Sequence, residues 1–281
     1  MKRFCISLFI CLVISGCQSQ VVPSEEVDNH TETEISDRQT EREVDNTEEA
    51  KETEEQEGKA ETVQPESQYV INKTNWLVEP INESNDQVVL LTIDDGPEQY
   101  SVQMAETLKE LNAGAIFFVN GHFLNTEEER EKLKDIYEMG FEIGNHTMTH
   151  PNMSQLSNEE QRNQIIQLND LIEEIIGERP RFYRAPFGVN TNVSNEVIEE
   201  EGMVSMNWTY GYDWEKEYQE ANALADIMVN TSLLTKGANL LMHDRKWTAE
   251  ALEEIVIGLR AKGYEVVNPS SIITEHEGAT N

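Results

Sequence analysis

The sequence predicts an α/β fold, a parallel sheet curled into a closed or nearly closed barrel, behind a disordered acidic tether. Three observations lead there. From about Val70 onward, short β-rich apolar runs alternate seven times with segments of helical apolar spacing, and such alternation builds a parallel sheet. The polar residues of interest nearly all fall where an apolar run stops, and in these folds reactive groups sit at the carboxyl ends of strands. Upstream, the stretch Ser24–Glu66 holds 17 acidic and 4 basic residues and almost no large apolar side chains. That composition cannot bury enough surface to offset its chain entropy.

The N-terminus reads Met1-Lys2-Arg3 and then an apolar run from Phe4 to Ile14. The run is too short to span a bilayer, which takes roughly 20 apolar residues, and it has the form of a secretory signal. It ends Ile14-Ser15-Gly16-Cys17, which resembles the bacterial lipoprotein signal, whose Cys is lipidated and becomes the mature N-terminus. An ordinary cleaved signal that happens to precede Cys17 is the alternative. The expected division is a signal peptide over residues 1–16, Cys17 with an acidic linker over 17–69, and a folded domain over 70–281. Lipidation at Cys17 would make the membrane a partner and place the chain outside the cytoplasm, with self-repulsion keeping the tether extended. Cys5 and Cys11 lie within the signal, so the processed chain would keep Cys17 alone, with no disulfide, thiolate metal site or Cys nucleophile in the folded part. The net charge of −33 argues against nucleic acid as a partner, because phosphate binding needs clustered Lys and Arg. Nothing in the sequence sets the oligomeric state.

In the folded part the expected strands lie at Val88–Ile93, Ala115–Val119, Phe141–Ile143, Arg181–Tyr183, Met203–Trp208, Asn239–Met242 and Tyr264–Val267. Between the third and fourth, Ser157-Asn158-Glu159-Glu160 has the pattern of a capping box. It is followed by Ile165, Leu168, Leu171, Ile172, Ile175 and Ile176 on one helical face, and Gly177 ends the pattern. Trp247, Leu252, Ile255, Val256 and Leu259 form a similar stripe before Gly263. Both stripes read as core.

The first strand runs into Asp94-Asp95-Gly96-Pro97. Adjacent carboxylates after an apolar strand are costly unless a cation or hydrogen bonds compensate them, although Asp also opens Gly-Pro turns. The third strand leads to His146 and His150, four residues apart, a spacing at which two imidazoles can face one metal from a single helical turn. A carboxylate and two His make a common ligand set for zinc and related divalent ions, and three protein ligands leave a position open for water. The fourth strand ends at Arg184, able to pair with an Asp of the first loop, or else a surface Arg before a turn. The sixth ends at His243, which an Asp elsewhere could raise into a general acid; a buried structural His is the competing reading.

Taken together, Thr92-Ile93-Asp94-Asp95-Gly96, His146-Thr147-Met148-Thr149-His150, Arg184-Ala185-Pro186-Phe187-Gly188, Asp213-Trp214 and Leu241-Met242-His243 resemble the polysaccharide deacetylases of the NodB type, carbohydrate esterase family four. The resemblance runs from about Val88 to Val267; each segment is weak alone, and the ordered set is specific. It implies a distorted (β/α) barrel and makes the domain over residues 70–281 catalytic. It implies that Asp95, His146 and His150 bind a divalent metal, usually Zn2+ with Co2+ or other ions able to substitute. Asp94 would be the general base toward the attacking water and Arg184 would orient it. His243, tuned by Asp213, would protonate the leaving amine. The backbone N–H of Phe187 would help hold the oxyanion, and Trp214 and Leu241 would line the pocket for the acetyl methyl group.

Two positions depart from the family pattern: Ile93 stands where Phe is usual, and Tyr210 where an extra Asp is frequent. Phe118-Val119-Asn120-Gly121-His122-Phe123 and Ala249-Glu250-Ala251-Leu252 resemble the branch that deacetylates muramic acid, whereas Asp94-Asp95-Gly96-Pro97 follows the glucosamine-directed branch. His122 reads as a structural or cleft-wall residue. The implied function is metal-dependent removal of N-acetyl groups from a cell-wall glycan, foremost peptidoglycan N-acetylglucosamine. The alternatives are N-acetylmuramic acid, another glycan such as chitin oligomers, a capsule or xylan, and a wall-binding module without catalysis.

Overall fold

A computed structural model describes residues 68–81 and 83–274. Cys17, the expected signal and the acidic linker lie outside the described residues. Among the described residues, no helix is long and apolar enough to cross a membrane.

The described chain opens with a hairpin that the apolar pattern did not announce: β1 (Tyr69–Ile71) pairs antiparallel with β2 (Val78–Pro80). The alternating part follows as β3 (Val88–Gly96), α1 (Ser101–Glu110), β4 (Ile116–Val119), α2 (Glu127–Glu138), β5 (Glu142–Asn145), α3 (Asn158–Ile176) and β6 (Phe182–Tyr183). It continues through α4 (Asn192–Glu200), β7 (Val204–Ser205), α5 (Ala221–Asn230), β8 (Ala238–His243), α6 (Lys246–Ala261) and β9 (Glu265–Val266). The sheet order is β7-β6-β5-β4-β3-β8, with β9 paired to the start of β3. All of these pairings are parallel.

The seven strands curl into a barrel that does not close. The edges β7 and β8 are joined through one bridge, Tyr210 to Leu240, beyond the end of β7. The expected strand over Met203–Trp208 is paired only at Val204–Ser205. Beyond Ser205 the chain leaves the ladder because Arg184 takes the carbonyls of Met206 and Asn207.

Helices α2 and α3 start at capping boxes built from local sequence. Ser157 and Glu160 make the expected capping box at the start of α3, and Thr126 with Glu129 makes another on α2; each cap contributes about 1 kcal/mol. Gly177 ends α3 with φ 82°, the left-handed conformation for which glycine has no Cβ penalty. Ile165, Leu168 and Ile172 are buried, with Leu171, Ile175 and Ile176 packed at the edge of the core. On α6, Leu252, Ile255, Val256 and Leu259 are fully buried under the sheet's outer face.

Strand parity then positions the site. Successive strand residues face opposite sides. In β3, Val89, Leu91 and Ile93 pack under the helices, while Val88 and Leu90 face the barrel interior. The interior row continues upward as Thr92 and Asp94. In β8, Ala238, Leu240 and Met242 belong to the outer core, so Asn239, Leu241 and His243 point inward. On β6, Phe182 is interior and Tyr183 exterior, which turns Arg184 back inward. On β5, Ile143 is exterior, and Gly144 and His146 take the inner parity. Gly144 must lack a side chain, since a Cβ there would lie 2.4 Å from the Phe118 ring. The lower barrel is thus apolar, packed against the β1–β2 hairpin through Tyr69, Ile71 and Val78. The upper barrel, at the carboxyl ends, is polar.

Candidate active site

Arg184 anchors the polar half. Its side chain is fully buried, yet every arm finds an acceptor. Nη1 donates to Asp94 Oδ1 at 2.7 Å and to Thr92 Oγ1 at 2.8 Å, and Nη2 to the Asn207 carbonyl at 2.9 Å. Nε reaches the Met206 carbonyl at 3.3 Å, and the guanidinium stacks on Phe118 at 4.3 Å from the ring centre. Burial pulls its pKa below the usual value, and the charge and hydrogen bond of Asp94 oppose that pull. The pairing expected from the strand end is present, and the surface alternative for Arg184 is excluded. Asp94, 2 % exposed, keeps Oδ2 free of Arg184, 3.6 Å from His146 Nε2.

Asp95 sits at the lip of β3, where the β3–β4 register shifts between Asp94 and Gly96. Its φ of 62° is left-handed, a conformation that costs about 1 kcal/mol or more for a residue with a Cβ. That irregularity turns its carboxylate toward the two histidines. Asp95 Oδ1 lies 3.9 Å from His146 Nε2 and 3.5 Å from His150 Nε2. Burial opposes ionisation of Asp95, but His146, His243, His150 and Arg245 together hold its pKa below the ordinary carboxylate value.

His146 Nδ1 lies 2.7 Å from the Arg184 carbonyl. A carbonyl can only accept, so Nδ1 carries a proton and Nε2 is the ring nitrogen turned toward Asp95. His150 does not reach the site along a helical turn, as its spacing suggested. The segment after β5 is a loop in which Thr147 and His150 both have positive φ, 72° and 54°. Asn145 Oδ1 accepts from the Thr147 N–H at 2.8 Å, and Asn120 Nδ2 ties the His146 and Thr147 carbonyls at 2.5 and 3.2 Å. Thr147 Oγ1 in turn accepts from the His150 N–H at 3.1 Å. The two rings end with centroids 4.9 Å apart. Burial, then the neighbouring His146, lowers the His150 pKa against the pull of Asp95 and Asp94, favouring the neutral form.

One donor atom each from Asp95, His146 and His150 lies within 4.8 Å of the others. Two imidazole nitrogens and one carboxylate oxygen, with one tautomer set by a carbonyl behind it, fit a divalent ion of the zinc type.

Across the cleft, His243 Nδ1 pairs with Asp213 Oδ1 at 2.7 Å. The other oxygen, Oδ2, accepts from the His243 N–H at 2.6 Å and from Thr248 Oγ1 at 2.9 Å. Burial alone would depress the His243 pKa; the charge and hydrogen bond of Asp213, with Asp94 and Asp95 behind, outweigh it and raise it. Tyr210, at the position where the family often has Asp, is 3 % exposed and donates its hydroxyl to the Met228 carbonyl at 2.8 Å. It is a core residue that leaves the Asp213–His243 pair untouched.

Asp94, Asp95, His146, His150, Asp213 and His243 line one cleft of about 440 Å³, with Phe187, Trp214 and Leu241 along its wall. Phe187 has φ 58° and is 64 % exposed, and Trp214 is 44 % exposed, with its ring 5.5 Å from His243. His122 is exposed, stacks on Phe123 at 4.1 Å, and is outside this lining. Every site residue expected within the described chain therefore converges here except Arg184, which acts from behind Asp94.

The sequence reading missed Asp244 and Arg245. Asp244, 2 % exposed, accepts from the N–H groups of Glu98, Gln99, Tyr100 and Ser101 and from Ser101 Oγ, all between 2.7 and 3.1 Å. It clamps the loop carrying Asp94 and Asp95 to the end of β8. Arg245 contacts Asp95. The available signal was their position, directly after His243 at a strand end.

The family model described as polysaccharide deacetylase matches residues 81–235. A peptidoglycan-N-acetylglucosamine deacetylase of Bacillus cereus is 30% identical over 203 residues, covering 69% of this chain and 71% of its own length. The solved structure of peptidoglycan deacetylase PdaC from Bacillus subtilis is 32% identical with a TM-score of 0.58, over 66% of this chain and 89% of that one. Full-length PdaC, named a peptidoglycan-N-acetylmuramic acid deacetylase, is spanned by this chain over 39% of its length. A solved pseudoenzyme of carbohydrate esterase family four from Bacillus anthracis is 30% identical with a TM-score of 0.59, over 66% of this chain and 64% of that one. With its barrel, its ordered segments and these matches in agreement, the chain belongs to the polysaccharide deacetylase family.

Proposed function

We propose that this protein is a divalent-metal-dependent hydrolase that removes N-acetyl groups from a cell-wall amino sugar, with peptidoglycan N-acetylglucosamine as substrate. The observation that carries it is the convergence, in one cleft, of a base held by a buried Arg, a His-His-Asp donor set and a His–Asp pair on the opposite wall. An amide nitrogen leaves badly unless protonated, and this site has a group for each proton. Asp94, with Oδ1 fixed by Arg184, uses Oδ2 to take a proton from the attacking water as the new C–O bond forms. His243, kept protonated by Asp213, gives its proton to the nitrogen as the C–N bond breaks, leaving acetate and a free amine. Asp95, His146 and His150 would hold the ion, which supplies Lewis-acid polarisation of the acetyl carbonyl and a lower pKa for the attacking water. The Phe187 N–H would share the oxyanion, and Trp214 and Leu241 would enclose the methyl group.

Zn2+ is the proposed ion, since two His and one carboxylate are its common catalytic set. The proposed setting is the outer face of a bacterial membrane, with Cys17 lipidated after removal of residues 1–16 and the acidic linker spacing the domain from the bilayer. That placement favours an endogenous wall polymer over a soluble glycan. A second reading, N-acetylmuramic acid as substrate, is favoured by the name of PdaC and by the segment Phe118–Phe123. The non-catalytic reading has a precedent in the Bacillus anthracis pseudoenzyme, but Asp94, Asp95, His146, His150, Arg184 and His243 are all retained here.

Mass spectrometry of muropeptides after incubation of purified wall with the Zn2+-loaded protein tests this. The expected result is loss of acetyl from glucosamine, abolished by chelator and reduced about 10²–10⁴-fold in Asp94→Asn. Acetyl loss from muramic acid would select the second reading. Unchanged release by Asp94→Asn would sink the mechanism.

A further inference from the structure

Arg245 follows Asp244 at the start of α6, and its side chain lines the cleft. Nη1 donates to the Asp244 carbonyl at 2.8 Å and faces Glu98 Oε2 at 3.4 Å; Nη2 donates to Asp95 Oδ2 at 3.1 Å. Two anchors on one nitrogen aim the other at Asp95. The two oxygens of Asp95 are therefore divided: Oδ1 faces the His146 and His150 Nε2 atoms, and Oδ2 faces Arg245. Asp94 is divided in the same way by Arg184. Each of the two carboxylates thus has a guanidinium on one oxygen before any cation arrives.

Resting on the proposed metal centre, we infer that Arg245 is its positioning residue: it confines Asp95 to ligation through one oxygen and, by its charge, holds divalent-ion affinity below that of a site with a free carboxylate. A carboxylate whose other oxygen is paired with a guanidinium has less charge to give the ion, and the guanidinium itself repels the ion. A weaker donation from Asp95 would leave more Lewis acidity at the site for the acetyl carbonyl. Changes behind metal ligands shift affinity about 10- to 100-fold. The Arg245 side chain is 36 % exposed and so partly screened, and the low end of that range applies.

The test is competition for Zn2+ between the purified chain and a chromophoric chelator, comparing the parent with Arg245→Gln and Arg245→Lys. Gln keeps hydrogen-bond donors without charge, and Lys keeps the charge without the fork. The expected result is Zn2+ bound about tenfold more tightly by Arg245→Gln, with Arg245→Lys within about threefold of the parent. Unchanged or weaker binding by the Gln variant overturns the inference, as does a Lys variant that tightens like Gln. A parent chain that binds no Zn2+ overturns the metal centre itself, which separates that failure from this one. Melting curves in excess chelator check that both variants fold.

Discussion

Replacing Arg184 with Met tests whether the buried guanidinium is there for Asp94. Arg184 is fully buried and holds Asp94 Oδ1 at 2.7 Å, and Asp94 is itself 2 % exposed. Without Arg184 the carboxylate loses the cation hydrogen-bonded to it, with almost no water to take its place. Breaking a buried ion pair from one side costs about 3–5 kcal/mol. The carbonyls of Met206 and Asn207 also lose their donor, which adds about 1 kcal/mol each if no water replaces it. Once Asp94 is already Asn, the same Arg184→Met change leaves no buried charge and costs only the orphaned carbonyls, about 1–2 kcal/mol. The carbonyl costs cancel between the two backgrounds, so the coupling between the two positions is about 3–5 kcal/mol. Urea denaturation of the parent, both single variants and the double variant measures it, in chelator so that ion binding does not add to the folded state. Additivity within about 0.5 kcal/mol would show that Arg184 is held by packing and its carbonyls, and that its contact with Asp94 is incidental.

Two further outcomes are expected. His243 serves as an acid only while protonated, so activity should fall as pH rises through its pKa, and Asp213 raises that pKa. In Asp213→Asn the largest raising charge is gone and burial remains, so the alkaline limb of kcat/KM should move to lower pH; a limb that stays in place assigns it to another group. Asp244→Ala leaves four backbone N–H groups of the 98–101 turn without their acceptor. Stability should drop by about 2–4 kcal/mol in thermal or urea unfolding, and a loss under about 0.5 kcal/mol would mean that the turn holds itself.

The apolar runs announced the barrel strands because the central ones, β3, β4 and β8, are buried on both faces, and hydrophobicity alone reports that. The capping box at Ser157 and the stop at Gly177 were legible because they are local hydrogen bonds and a local dihedral preference. The β1–β2 hairpin was not: three-residue strands around Trp76 carry too short a pattern, and they form against a barrel floor that the sequence does not display. Met203–Trp208 looked like a long strand, yet Arg184, some twenty residues earlier in the chain, takes carbonyls that a ladder would have used. The His146–His150 spacing pointed to the right partners through the wrong geometry. The loop between them is held by Asn120 and Asn145, which contact it only in three dimensions.

The residues that carry the chemistry were therefore set by the sequence itself: Asp94, Asp95, His146, His150, Arg184, Asp213 and His243 each stand at or just beyond the end of an apolar run, and strand period and fold class bring such ends to one rim. Which oxygen or nitrogen of each does what was decided only by the tertiary structure. Asp94 and Asp95 are adjacent and chemically identical. A register shift and a left-handed φ at Asp95 turn one carboxylate toward Arg184 and the other toward two histidines and Arg245. Burial and partner charge are properties of that arrangement, and they make one Asp a candidate base and its neighbour a candidate ligand.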